Sequence, residues 1–276
     1  MKQFKGRVAA ITGAGSGMGR ALALELAARG CAVAIADVSQ GSLDETAALL
    51  RPSNVQVSSH LVDVADRAAV ERFAADVARI HGKVNLVFNN AGVSVSNTVE
   101  RLSYDDFEWL MNINFWGVVH GTKAFLPYLR QVDEAHIVNT ASIFGVVALA
   151  SQSAYNASKF AVRGFTEALR HELAGTHIGV SCVQPGGVKT NIVKTSRYYA
   201  ADNEAPTKEE MTRTFEQIAR LTPRDAAVQI LRGVERNRMR VLVGRDALFL
   251  AWMQRLFPER YQQVLGSLSN RLLRRS

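Results

Sequence analysis

The sequence predicts a doubly wound α/β fold: a parallel sheet with helices on both faces, in a single domain. Three observations carry the prediction. Short apolar, β-branched runs recur along the chain, segments of helical periodicity separate them, and a glycine-rich turn follows the first run. The length of 276 residues, 47% of them hydrophobic, suffices to bury a sizeable core in one unit of the larger α/β kind.

Strand-like runs occupy residues 8–11, 32–36, 56–61, 86–89, 136–140, 179–183 and 240–243. Helix-length segments between them imply right-handed crossovers and a parallel sheet. Residues 19–30, 70–81, 104–129, 154–174 and 223–236 carry apolar residues at helical spacing. Thr222-Pro223-Arg224-Asp225 supplies an N-cap hydroxyl, a proline at the first helical position and a carboxylate at the third, so the last crossover helix is expected to begin near 222. Residues 191–221 break the rhythm. They are polar, contain Tyr198-Tyr199, and predict a helix opening at Pro206, in an insertion expected to serve as a substrate lid. Beyond Gly244, Leu248, Phe249, Trp252, Met253, Leu256 and Phe257 form a broad apolar face, followed by Pro258 and a short helical pattern ending in arginines. The expected organisation is a dinucleotide-binding catalytic domain over 1–245 and a C-terminal helical extension over 246–276. That apolar face is expected to pack on the domain or at a subunit interface in preference to a membrane surface.

Several function classes are excluded on composition. The basic start ahead of Val8-Ala9-Ala10-Ile11 imitates a signal peptide, but its apolar run ends at once in glycines. No stretch approaches the roughly 18 apolar residues of a membrane span. Cys31 and Cys182 sit inside apolar runs with no cysteine or histidine at metal-ligand spacing, so no metal site is expected and the thiols read as reduced core residues. A cytoplasmic location is the corresponding expectation. The basic residues behind the formal charge of +8 are dispersed, with no basic stripe interleaved with aromatics ahead of the short Arg271, Arg274, Arg275 tail, which predicts attraction of anionic ligands and no nucleic-acid partner.

The first turn reads Thr12-Gly13-Ala14-Gly15-Ser16-Gly17-Met18-Gly19 and opens a helix. Glycines there let the chain turn sharply, bring bare backbone against a pyrophosphate and pack the helix closely on the strand. Gly13, Ser16, Gly17, Met18 and Gly19 are accordingly dinucleotide-binding candidates, with phosphates at the helix amino end. Asp37, at the end of the second strand, can accept hydrogen bonds from both ribose hydroxyls and would repel a 2′-phosphate. With no lysine or arginine at Ser16 or Val38, NAD is favoured over NADP.

With these residues in view, the sequence resembles the short-chain dehydrogenase/reductase family, over roughly residues 5–245. The resemblance rests on the Gly13, Gly17, Gly19 spacing, Asn89-Asn90-Ala91-Gly92, Asn114, Ser142, Tyr155-Asn156-Ala157-Ser158-Lys159 and Pro185-Gly186-Gly187-Val188-Lys189-Thr190, which follow in the family's order. It implies a nicotinamide-dependent oxidoreductase of the Rossmann type, commonly a homodimer or homotetramer, acting on a small-molecule alcohol or ketone. It further implies that Asp63 contacts the adenine with Val64 beside it, and that Asn90, Ala91 and Gly92 line the adenosine side. Pro185, Gly186, Val188 and Thr190 would hold the nicotinamide end.

Tyr155 and Lys159 are four apart in a helical pattern and so share a face. A tyrosine of pKa near 10 is a poor base at neutral pH, but an adjacent ammonium and the positive nicotinamide ring favour the phenolate. On the family's pattern Tyr155 exchanges the hydroxyl proton, Ser142 holds the substrate oxygen, and Lys159 also holds the ribose hydroxyls. Asn114 would anchor a water linking Lys159 to solvent. None of the six histidines has a comparable setting. Ile143, Phe144, Val146, Tyr198 and Tyr199 predict an apolar pocket, hence a secondary alcohol or ketone with a hydrophobic body. Two readings compete: a cofactor-binding sensor or structural protein without turnover, and an epimerase or dehydratase, which would usually carry a longer carboxyl-terminal substrate domain.

Overall fold

The computed structural model describes residues 1, 3–199, 207–263 and 266. Seven strands, β1 (Val8–Thr12), β2 (Ala32–Asp37), β3 (Val57–Leu61), β4 (Leu86–Asn89), β6 (Ala135–Thr140), β7 (Ile178–Pro185) and β9 (Arg240–Val243), form one parallel sheet in the order β3-β2-β1-β4-β6-β7-β9. Two short strands, β5 (Val95–Ser96) and β8 (Arg197–Tyr198), pair separately in parallel. The winding reverses between β1 and β4. In a sheet of this kind the strand ends diverge there and leave a crevice at the carboxyl edge, where ligands bind. Register keeps those ends level, with Thr12 opposite Ala36 and Ile11 opposite both Ile35 and Phe88.

Burial on both faces explains why the strands read as apolar runs. On one face α1 (Gly17–Ala28), α2 (Gln40–Leu50) and α8 (Pro223–Glu235) place Leu22, Leu26, Leu43, Leu50, Ile230 and Leu231 against Ile11, Ile35 and Phe88. On the other, α3 (Arg67–His81), α5 (Gly117–Leu129) and α6 (Ser153–Glu172) set Phe73, Val77, Phe125, Leu129 and Leu169 against Ala10, Ala34, Val87 and Ile137. Each such side chain removed from water contributes roughly 1.5–3 kcal/mol. No helix among the described residues is long and apolar enough to cross a membrane.

Thr222 caps α8 as expected, its Oγ1 accepting from the Asp225 amide at 3.1 Å. The expected helix over 104–129 is instead α4 (Tyr104–Met111), a π-helical turn over Asn112–Trp116, and α5. Close passage of this rod depends on missing side chains: a Cβ on Gly121 would lie 2.0 Å from Asn89 Oδ1, and one on Gly117 would lie 2.8 Å from Val64 Cγ2. Helix α2 went unpredicted because its buried face is only Leu43, Thr46 and Leu50, too sparse a pattern beside Gly41 and Ser42. In the insertion, α7 (Lys208–Ile218) begins after Thr207, whose side chain and Glu210 form a reciprocal capping box. Pro206, the expected opening, lies outside the described residues. The cap chemistry of Thr207, three residues before Glu210, was the stronger start signal. Helix α9 (Arg245–Leu256) follows β9, and most of the helical pattern expected beyond Pro258 also falls outside the described residues.

Candidate active site

The glycine turn is closed by its neighbours on β4. Gly13 and Gly17 adopt left-handed φ of 64° and 52°, which side chains other than glycine's tolerate poorly. A Cβ on Gly13 would sit 2.8 Å from Ala91 Cα, and one on Gly19 would meet the Gly13 carbonyl oxygen at 2.0 Å. Thr12 joins the two segments: its Oγ1 accepts from the amides of Asn90 at 3.0 Å and Ala91 at 3.1 Å, while Asn90 Nδ2 donates to Thr12 O at 3.1 Å. Ser16 stands at the N-cap of α1 in extended conformation, yet its hydroxyl makes no capping bond. The first-turn amides of Gly17, Met18 and Gly19 face outward from the helix end, where no backbone acceptor precedes them. Arg20 braces the turn from behind, donating from Nε to Thr46 Oγ1 at 2.9 Å and contacting Gly15 O through Nη2.

Asp37 ends β2 with its carboxylate against this turn. Oδ2 accepts from the Gly15 amide at 2.9 Å and Oδ1 from the Ser39 amide at 3.1 Å. The Val62 amide donates to Asp37 O at 2.9 Å, which brings the end of β3 alongside. There Asp63 is exposed, its Oδ1 accepting from Ala65 N at 2.9 Å, while Val64 is buried and its carbonyl accepts from His120 Nδ1 at 3.1 Å. Across the crevice, a Cβ on Gly17 would lie 3.2 Å from Thr190 Cγ2, so the segment after β7 faces the glycine turn. Bare backbone at a helix amino end, flanked by a carboxylate, fits a dinucleotide: pyrophosphate at the amides, ribose hydroxyls at Asp37.

Deeper in the same crevice, Ser142, Tyr155 and Lys159 converge, exposed by only 7, 9 and 3%. Ser142 follows β6 in extended conformation, and its Oγ accepts from the Phe144 amide at 3.1 Å. Its hydroxyl also hydrogen-bonds Tyr155. One helical turn on, Lys159 Nζ lies 5.6 Å from the centre of the Tyr155 ring and donates to Thr140 O at 3.1 Å. No carboxylate among the described residues pairs with this ammonium. A buried cation bonded to one carbonyl has donors left for ligand hydroxyls, so Lys159 fits the ribose of a nicotinamide nucleotide.

Burial pushes the Tyr155 hydroxyl up to about 12, opposed by the hydrogen bond with Ser142. The same desolvation lowers the Lys159 ammonium to about 8. Their spacing on the helix does bring the two side chains together, with Lys159 Nζ over the Tyr155 ring while it donates to Thr140 O. In the protein alone, desolvation of the phenolate wins.

Asn114 sits in the π-helical turn with no exposed surface. Its Oδ1 accepts from Val93 N at 2.8 Å, and its Nδ2 donates to Val93 O at 2.9 Å and Ser158 Oγ at 3.2 Å. The side chain is therefore spent on the loop after Gly92. Gly92 lets the two groups approach, since a Cβ there would lie 3.3 Å from Asn114 Oδ1 and 3.4 Å from Lys159 Nζ.

A family model for short chain dehydrogenases matches residues 7–200. The chain belongs to that family. SadH of Mycobacterium tuberculosis, a candidate oxidoreductase, is 42% identical over 269 residues, covering 97% of this chain and 96% of its own. Estradiol 17-beta-dehydrogenase 11 of Rattus norvegicus is 30% identical over 267 residues, covering 96% of this chain and 84% of its own. Among solved structures, a short-chain dehydrogenase/reductase from Burkholderia phymatum in complex with NAD superposes with a TM-score of 0.85 at 36% identity, over 94% of this chain and 96% of that one. The protein is thus an oxidoreductase of the short-chain dehydrogenase family, built for a nicotinamide cofactor.

In this family member the apolar wall beside Tyr155 differs from the expected one. Phe144 packs edge-on to the Tyr155 ring at 6.2 Å, and Tyr155 shares an apolar cluster with Val95, Leu110 and Ala154, against which Val93, Leu102, Phe107, Trp109 and Ile192 pack. Ile143 and Val146, expected in the pocket, instead bury with Ala247, Ala251 and Met253 of α9, because the 3₁₀ turn over Ile143–Gly145 puts residues three apart on one side. Tyr198 lies in β8, paired with Ser96, and the Tyr199 hydroxyl hydrogen-bonds Asp106. Arg197 anchors this part of the insertion to α4, pairing with Asp106 Oδ1 at 2.7 Å and stacking 3.7 Å above the Trp109 ring.

Sequence reasoning missed Thr12, Arg197 and Asp246. Asp246 Oδ2 accepts from the Gly187 amide at 2.5 Å and fills the space a Cβ on Gly186 would need, which ties α9 to the Pro185–Thr190 loop. Gly186 in turn donates to Val243 O at 2.9 Å, and Val188 bridges to Leu221. No local pattern reveals such partners, which lie 59 or more residues apart.

Proposed function

We propose that the protein transfers a hydride between NAD, in preference to NADP, and a secondary alcohol or ketone with a hydrophobic body. The observation that carries this reading is the buried Tyr155 hydroxyl, bonded to Ser142 and adjoining a buried ammonium with donors to spare. A bound nicotinamide supplies the hydride acceptor or donor at the carbon that reacts.

Ser142 Oγ and the Tyr155 hydroxyl together hold the substrate oxygen, fixing the reacting carbon in place. In oxidation, the Tyr155 phenolate takes the hydroxyl proton; in reduction, the Tyr155 phenol returns one to the developing alkoxide. Lys159 binds ribose hydroxyls and, together with the positive nicotinamide ring, stabilises the phenolate. Asn114 holds Val93 and Ser158, and thereby the loop against which Lys159 is set; a water relay through this residue would use its main chain or the remaining lone pair of Oδ1. Gly13, Ser16, Gly17, Met18 and Gly19 bind the pyrophosphate, Asp37 the adenosine ribose, Asp63 and Val64 the adenine, with Asn90, Ala91 and Gly92 beside them. Pro185, Gly186, Val188 and Thr190 hold the nicotinamide end. The apolar ring of Val93, Phe144 and Ile192 supports a hydrophobic substrate body.

A panel of secondary alcohols and ketones, assayed by reduced-nicotinamide absorbance with NAD and NADP in parallel, tests the reading. Turnover with secondary alcohols and NAD is expected. Tight NAD binding without turnover across the panel would replace the reading with that of a nucleotide sensor.

Cofactor choice has its own test in Asp37→Ala. The carboxylate faces the Gly15 amide where a 2′-phosphate would approach, and one charge pair near 4 Å is worth roughly 1–4 kcal/mol between water and a protein surface. Its removal is expected to improve the NADP-to-NAD ratio of kcat/KM roughly tenfold or more. An unchanged ratio would remove Asp37 from the argument for NAD.

A further inference from the structure

Helix α9 has two faces. Ala247, Ala251 and Met253 pack on Ile143, Val146 and Val147, next to the turn that carries Ser142. The other face leaves Leu248, Phe249, Trp252, Leu256 and Phe257 exposed by 46, 62, 62, 59 and 53%. Leu248, Phe249 and Leu256 each lie three or four positions from Trp252 and make one continuous stripe with it. This is an unusual surface for a helix end, since scattered apolar exposure is ordinary and a contiguous aromatic stripe is not.

We propose that this face docks on an anionic lipid surface. Charge supports that occupant. Residues 245–276 hold Arg245, Arg255, Arg260, Arg271, Arg274 and Arg275 against only Asp246 and Glu259, half of the chain's formal +8. Of the two acids, Asp246 is exposed and accepts from the Gly187 amide. Arg245 and Arg255 are exposed at either end of the stripe, and Tyr261, just beyond α9, packs in the same cluster as Ala247 and Met253. Arg271, Arg274 and Arg275 lie further along the chain, outside the described residues. An apolar stripe with Trp and Phe, rimmed by arginines, is the composition that settles at a headgroup boundary.

A second copy fits less well. It would bring the same cations against these.

Vesicle flotation of the full chain tests the proposal, with phosphatidylcholine alone and with phosphatidylcholine mixed with phosphatidylglycerol. The protein is expected to float with the mixed vesicles and not with phosphatidylcholine alone, and to be released at 1 M salt, where the screening length falls to about 3 Å. Phe249→Ser/Trp252→Ser is expected to reduce the bound fraction at least tenfold with an unchanged circular dichroism spectrum. Trp252→Phe, which keeps the apolar face, is expected to retain binding while losing most fluorescence quenching by brominated lipid. Failure of the unaltered protein to float would overturn the proposal, as would undiminished flotation of the double variant. So would a drop in its solution mass, which would assign the face to a subunit contact.

Discussion

Tyr155→Phe is expected to lower kcat by about 10³-fold while leaving the dissociation constant of NAD within a factor of two or three, since general acid–base catalysis contributes about 10²–10⁴-fold. The substitution removes one oxygen. It keeps the ring that packs edge-on to Phe144 and lies below Lys159, so the walls of the site persist. Stopped-flow turnover and fluorescence titration of the nucleotide check the two halves separately. Normal turnover in the phenylalanine variant would sink the proton path through Tyr155.

The same residue predicts the pH dependence. In the protein alone, burial holds the hydroxyl up at about 12, so the phenol form prevails across the neutral range. Oxidation, which needs the phenolate, should therefore rise with pH, and reduction, which needs the phenol, should fall. The midpoint of kcat for oxidation should lie well below 12, because the cofactor complex adds a positive charge that the protein alone lacks. Lys159→Met should move that midpoint up by a unit or more, about 1.4 kcal/mol per unit. A midpoint that stays in place would mean that the ammonium acts only in nucleotide binding.

Gly19→Ala is the substitution expected to do most damage through the backbone. Its Cβ would stand 2.0 Å from the Gly13 carbonyl oxygen and 2.7 Å from Asn90 Nδ2, and neither can yield without moving the turn. Asn90 Nδ2 is itself engaged with Thr12 O at 3.1 Å, so the displacement spreads to the β1–β4 junction. Overpacking of this kind costs about 1–3 kcal/mol of folding stability. Nucleotide affinity should fall at least tenfold as well, because the amides at the start of α1 move with the turn. Urea denaturation read beside an NAD titration distinguishes the two effects. Gly41→Ala, inside α2 where an added Cβ meets nothing within 4 Å, is the matched control and should leave affinity unchanged and stability equal or slightly raised.

Much of this molecule is legible locally. The inner sheet strands read correctly because they are buried on both faces, which favours an unbroken apolar run, whereas the edge strand β3, Val57-Ser58-Ser59-His60-Leu61, is only partly covered and carries two serines and a histidine. The glycine turn reads correctly because positive φ and close backbone approach leave little choice but glycine. Thr222 reads correctly because a cap acts within four residues of itself. Where the requirement is weaker, so is the signal. Helix α2 has three buried residues, and β5 and β8 have two residues each and form only because the insertion folds back along the loop after β4.

What the sequence determined by itself was the doubly wound fold, the nucleotide turn, Asp37, and the four-residue spacing of Tyr155 and Lys159, all properties of short-range geometry. The tertiary structure alone decided how those residues are electrostatically set. Lys159 turns to Thr140 O, Asn114 is spent on Val93 and Ser158, and Asp246 reaches across from α9 to Gly187. It also decided which face of α9 is covered, sending Ile143 and Val146 there and away from the pocket. The reason is physical. A spacing of four places two side chains on one helix face, but desolvation and hydrogen-bond partners depend on segments that only the folded chain brings together.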